Sequence, residues 1–109
     1  MPNIEFHGFP EASDCSAVYL ATKRLLKGAS YEKDVVLTLY DDTVVDTDGG
    51  GQPFLRVIGS KASADELEKI VERLSPLNID IEVMLIEKFV PRDHTKGTTW
   101  RDYFATLRQ

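Results

Sequence analysis

Asn3, Glu5 and His7 alternate with Ile4 and Phe6, the period-2 pattern of a half-buried strand. Gly8 and Pro10 break the pattern, and Ser13 or Asp14 is placed to cap a helix. That helix carries a stripe of Cys15, Val18, Ala21, Thr22, Leu25 and Leu26 and closes at Gly28. A second strand is predicted over residues 34–42, where Val35, Val36, Leu37, Thr38, Leu39 and Tyr40 are β-formers. A third is predicted from Phe54 to Ser60. Ser63 followed by Glu66 is a capping-box signature, so a second helix should begin there. Leu67, Ile70, Val71 and Leu74 form its apolar face, Ser75-Pro76 ends it, and residues 79–90 make a long fourth strand. The order is β-α-β-β-α-β: an α/β (α+β) domain over residues 1–90, two βαβ units forming a four-stranded sheet with two helices on one face. Residues 91–109 form a C-terminal extension in which Trp100, Phe104 and Leu107 recur at helical spacing, predicting a short docked helix.

The strand faces differ in character. Ile4 and Phe6, Val35, Leu37 and Leu39, Leu55 and Val57, and Ile79, Ile81, Val83 and Leu85 are the positions expected to carry the helices. The other face mixes charges with Val36, Tyr40, Phe54, Ile58, Met84 and Ile86. Two helices cover one side of a sheet, so this second face would be an exposed apolar patch in a monomer. It predicts a homo-oligomer packed through its sheets. Two architectures share the element order. A ferredoxin-like domain, which would present a small-ligand-binding face, joins its middle strands by a hairpin, and Thr43-Val44-Val45 could pair with Phe54-Leu55-Arg56 in that way. The alternative makes each half a parallel pair and joins the halves by a longer connector, such as Asp41 to Gln52.

Composition narrows the functional classes. The chain has 109 residues, 18 acidic and 13 basic, for a net charge of −5. Its pI near 4.9 gives a field of the wrong sign for nucleic acid or an anionic membrane surface. No apolar run reaches the roughly 18 residues of a membrane span. The single Cys15 cannot close an internal disulfide, which fits a reducing, cytoplasmic setting. Asp41, Asp42, Asp46 and Asp48 do not follow EF-hand spacing, so an acidic turn is expected and no metal. The glycines after them lack the Lys-Ser/Thr of a phosphate loop. No cofactor is expected.

Met1-Pro2 opens a strand at once, and residues 46–53 lead through a glycine-rich connector into strand, capped helix, Ser75-Pro76 and final strand. Over residues 1–90 this resembles the tautomerase superfamily in its long form, including the macrophage migration inhibitory factor type and small bacterial tautomerase-like proteins. The resemblance implies a trimer and a cofactor-independent keto-enol isomerisation of a small oxo-acid. Its general base would be Pro2, as a secondary amine freed by removal of Met1. With Met1 attached the Pro2 nitrogen is an amide without basicity. Without the resemblance, Pro2 reads as a proline starting a strand.

The substrate-binding candidates are Arg56, Asp80, Glu82, His7 and Tyr40, all on the mixed face. Arg56 would anchor an anion; its structural reading is an ion pair with Glu5 or Glu82. Asp80 and Glu82 fall roughly where the migration-factor type has site residues, and carboxylates there resemble members that activate water. His7 is a candidate acid or base, or a hydrogen-bonded structural residue. The chain departs from the family in Gly8 to Asp14, which holds two acids where an arginine is expected, and after the first helix, where Lys27 and Lys33 bracket the expected lysine. Those departures support a second reading, a noncatalytic oligomer that keeps the fold.

Overall fold

In the computed structural model, which describes residues 2–87, strand β1 (Asn3–His7) is central and parallel to β2 (Val36–Leu39). On its other side β1 pairs antiparallel with β3 (Phe54–Ser60), which is itself parallel to β4 (Asp80–Ile86). The sheet order is β2-β1-β3-β4. Helix α1 (Ala12–Leu26) crosses from β1 to β2 and α2 (Ala64–Leu74) from β3 to β4. Each half is therefore a βαβ crossover, which needs a helix to return the chain in the same direction. Parallel neighbours within each half exclude the ferredoxin-like alternative. The hairpin considered for residues 43–45 is absent for a simple reason: β1 and β4 already occupy both edges of β3.

The core lies between the helices and the two central strands. Ile4, Phe6, Leu55, Val57, Ile70 and Leu74 have no exposed surface, and Leu67 almost none. On α1 the buried stripe is Cys15, Thr22 and Leu26; the Thr22 hydroxyl donates to the Val18 carbonyl at 2.8 Å and so enters the core paired, whereas the buried Tyr31 hydroxyl has no partner among the described residues. Gly28, at φ +85°, turns the chain out of the helix. Arg73 of α2 donates to the carbonyls of Leu25 and Lys27, tying the end of α1 to α2.

Several boundaries differ from expectation. Neither Ser13 nor Asp14 caps α1, which begins two to three residues earlier with Glu11 at its N-cap. The capping box at Ser63 is not formed, because a 3₁₀ turn over Lys61–Ser63 precedes α2 and the Ser63 hydroxyl meets that of Ser60. The second strand is shorter than predicted, since Glu32–Asp34 form a 3₁₀ turn. The helices also cover less than the alternation implied. Val83, Leu85 and Leu39 are 47%, 45% and 46% exposed, because the helices lie over the central strands rather than the edges. On the other face Val36, Phe54, Ile58 and Ile86 are half-buried, while Tyr40 and Met84 are exposed. Residues 88–90 of the predicted fourth strand, and the helix predicted in 91–109, lie outside the described residues.

Leu55→Ala, at the centre of the core, should lower unfolding free energy by about 2–5 kcal/mol. Leu20→Ala, on the exposed side of α1, should cost less than about 1 kcal/mol. Urea unfolding of both variants checks the contrast, and equal losses would mean that the helices pack on the sheet by other faces.

Candidate functional site

The open sheet face is a ladder of aligned side chains. Register places Thr38, Glu5, Arg56 and Glu82 in one row across all four strands. Next to it run His7, Phe54 and Asp80, with Tyr40 beside His7. The mixed alternation that singled out His7, Tyr40, Arg56, Asp80 and Glu82 thus comes from one contiguous surface.

His7 is the centre of this surface. Its Nε2 lies 2.7 Å from Glu5 Oε1 and its Nδ1 2.6 Å from Asp42 Oδ2. The ring stacks between Tyr40 at 4.3 Å and Phe54 at 5.0 Å, and the residue is buried. A ring whose two nitrogens both face carboxylates is satisfied only as the imidazolium, with two N–H donors. Burial disfavours that charge, but the hydrogen bonds and charges of Asp42 and Glu5 outweigh it, and the His7 pKa rises above its usual 6.5. Asp42 is held below its usual 3.8, chiefly by the bond to His7 against a desolvation cost, with help from the Gly8 amide at 2.7 Å. Tyr40 donates to Glu5 Oε2 at 3.1 Å, and that bond raises the phenol's pKa.

Arg56 is engaged on two sides. Its Nε donates to Glu82 Oε1 at 2.8 Å and its Nη1 to Glu5 Oε1 at 3.4 Å. Both partners named for its structural reading are present, and Glu82 is the main cause of its raised pKa. Asp80 stands at the end of the ladder, in a cleft of about 300 Å³ with Val44, Asp46, Gln52, Phe54, Ile81 and Glu82. Among the described residues no group of three or more His, Cys, Asp or Glu side chains is placed to hold a metal ion. No helix there is long and apolar enough to cross a membrane.

Asp42 was missed as a functional residue, because in sequence it is one of four aspartates in an acidic connector. The connector reaches it to β1 through close backbone approaches. A Cβ on Gly51 would meet the Val44 carbonyl oxygen at 1.7 Å, and one on Gly8, at φ +76°, would meet the Val44 side chain at 2.9 Å. Gly8, Val44 and Gly51 are the retrospective signal.

Pro2 stands elsewhere. Its side chain is fully buried and its carbonyl accepts from the Val36 amide at 2.9 Å, which continues the parallel register and sets Pro2 opposite Val35. By strand alternation it shares the helix-covered face with Ile4 and Phe6, not the face of His7 and Arg56. Val35 belongs to a second cleft, of about 330 Å³, with Leu26, Leu37, Lys23, Glu32 and Lys33. The site candidates therefore fall on two faces of the sheet within one chain. Among the described residues, Lys23 and Lys33 are the cations that line this second cleft.

No protein-family model matches the chain, and no curated protein is detectably similar in sequence. Solved structures do share its fold. A macrophage migration inhibitory factor-like protein from Entamoeba histolytica is 12% identical with a TM-score of 0.51, over 85% of this chain and 94% of that one. A fused 4-OT solved as an asymmetric trimer is 15% identical with a TM-score of 0.52, over 94% and 98%. A protein of unknown function from Vibrio cholerae O1 is 18% identical with a TM-score of 0.50, over 88% and 84%. At these identities the likeness establishes the fold: the chain has a tautomerase-like fold.

The charge network gives stability a two-sided dependence on pH. His7 has a raised folded-state pKa, so its contribution is complete below pH 6.5 and is lost as pH rises through the folded value. Asp42 has a lowered one, so its contribution is complete above 3.8 and is lost as pH falls through the folded value. The urea midpoint should be highest between those limits and decline on the alkaline side, and His7→Gln should flatten that alkaline decline. A wild-type midpoint unchanged from about pH 6 to 9 would contradict the raised His7 pKa.

Proposed function

We propose that this protein is a cofactor-independent tautomerase that interconverts the keto and enol forms of a small oxo-acid, with the Pro2 nitrogen as general base once Met1 is removed. One observation carries the reading: Pro2 is fully buried at the start of the central strand, opposite a residue that lines a cleft with two lysines. A free α-amine titrates near 7.7–8.0, roughly 2.5 units below a lysine, and burial among apolar side chains lowers it further by disfavouring the charged form. Such a base is poised near neutral pH. It takes a proton from the carbon next to the substrate carbonyl, the electron pair moves to the carbonyl oxygen, and that oxygen accepts a proton to give the enol. Lys33 and Lys23, exposed at the cleft, would hold the substrate carboxylate.

Arg56, Tyr40, His7, Asp80 and Glu82 would reach a Pro2 site only from a neighbouring copy, since in one chain they occupy the opposite face. A homotrimer packed through its sheets would supply them and would cover the half-exposed apolar positions of the open face. The buried, unpaired Cys15 is in keeping with a cytoplasmic protein.

A second reading, a noncatalytic oligomer that keeps the fold, is favoured by the engagement of Arg56 with both Glu5 and Glu82, which leaves its charge balanced within the chain. Untagged protein separates the two. The first reading expects an intact mass lacking one methionine, a trimer by native mass spectrometry, and enolisation of phenylpyruvate. Pro2→Ala should lower kcat/KM about 10²-fold or more, while Lys33→Ala raises KM more than it lowers kcat. An assembled trimer lacking Met1 and inert toward phenylpyruvate and other oxo-acids would favour the second.

A further inference from the structure

We propose that His7 is a proton-operated latch: while both ring nitrogens carry protons it ties the connector of residues 40–53 to the open sheet face through Asp42, and loss of one proton frees that connector. The latch rests on contacts within one chain, where it shares no group with Pro2, so its test does not depend on the Pro2 chemistry.

The geometry carries the asymmetry that a latch needs. A neutral imidazole keeps one N–H, so one lone pair must face a carboxylate at 2.6–2.7 Å. Glu5 cannot retreat. It is on the central strand, buried, and held on its two oxygens by Tyr40 and Arg56. Asp42 can: its side chain is 36% exposed, it lies in a connector without regular structure, and its other tie to β1 is the Gly8 amide. The remaining proton therefore stays on Nε2 toward Glu5, and the lone pair on Nδ1 expels Asp42 into water.

The neighbouring groups support the same direction. On β1, Glu5 faces the ring; from the chain after β2, Tyr40 and Asp42 do; from β3, Phe54 stacks on it and Arg56 acts through Glu5. On β4, Asp80 and Glu82 occupy the adjoining register positions. On α1, the Cys15 thiol is pushed up by burial and then by the Asp42 charge. Apart from Arg56 this surrounding is acidic, so the imidazolium is the cation that balances Asp42. The connector also supplies Val44, Asp46 and Gln52 to the cleft that holds Asp80 and Glu82. Freeing it would open that cleft from one side.

The test follows the His7 ring and the backbone amides of Gly8 and residues 41–53 by NMR in the full chain, with His94→Gln used to assign the two histidines. Protection factors, corrected for the intrinsic pH dependence of exchange, should fall about tenfold or more at Gly8 across the pH range where His7 titrates. Amides of β3 should lose no more protection than the fall in global stability over the same range accounts for. Asp42→Asn should show low Gly8 protection at every pH and no step. Protection that stays constant through the His7 titration overturns the latch, and so does a step that persists in Asp42→Asn. If Asp42→Asn fails to fold, the wild-type titration decides alone.

Discussion

Strand β1 is buried on both faces, and two of its residues, Glu5 and His7, are ionisable. Charges that cannot reach water must be paired and hydrogen-bonded, or the fold carries a penalty of several kcal/mol for each. Most of the open face answers that demand. Arg56 stands opposite Glu5 on β3, Glu82 stands opposite Arg56 on β4, Tyr40 leans in from the end of β2, and Asp42 returns from the connector to meet His7. The connector itself is shaped by the same need, since Gly8 and Gly51 let Val44 approach closely enough for Asp42 to arrive.

One consequence is a division of labour between the two sides of the sheet. The helix side is closed over the central strands, and beside β2 Val35 and Leu37 line a cleft with the lysines of α1 and of the turn before β2. The open side is polar, aromatic and largely self-satisfied. Balanced carboxylates and cations favour structural order on the open side. Any chemistry that needs both sides needs two copies of the chain.

The outer strand points the same way. Val83, Met84 and Leu85 are consecutive on β4, project to alternate faces, and are each nearly half exposed. An apolar edge strand is a template for pairing with another chain unless it is covered. Sheet-to-sheet association through this edge and the open face would bury these positions together with Tyr40, and it is consistent with the predicted homo-oligomer.

The alternation of Asn3 to His7 and the stripes of both helices were legible in the sequence, because each depends on local periodicity; the parallel pairing within each half was left between two architectures and was decided by the register. Helix starts were not, since whether Ser63 caps α2 or turns toward Ser60 depends on a 3₁₀ turn that only packing selects. The membership of the mixed face was also legible, as strand parity alone assigns His7, Arg56, Asp80 and Glu82 to one side. Parity equally assigns Pro2 to the other side, yet what lies across from it depends on the register with β2, which a single sequence does not specify. Asp42 was hidden for the same reason. Sequence ranks four connector aspartates alike, and only a tertiary contact across 35 positions distinguishes the one that meets His7. Periodicity determined the elements and their faces; long-range register and backbone close approach decided which charges meet.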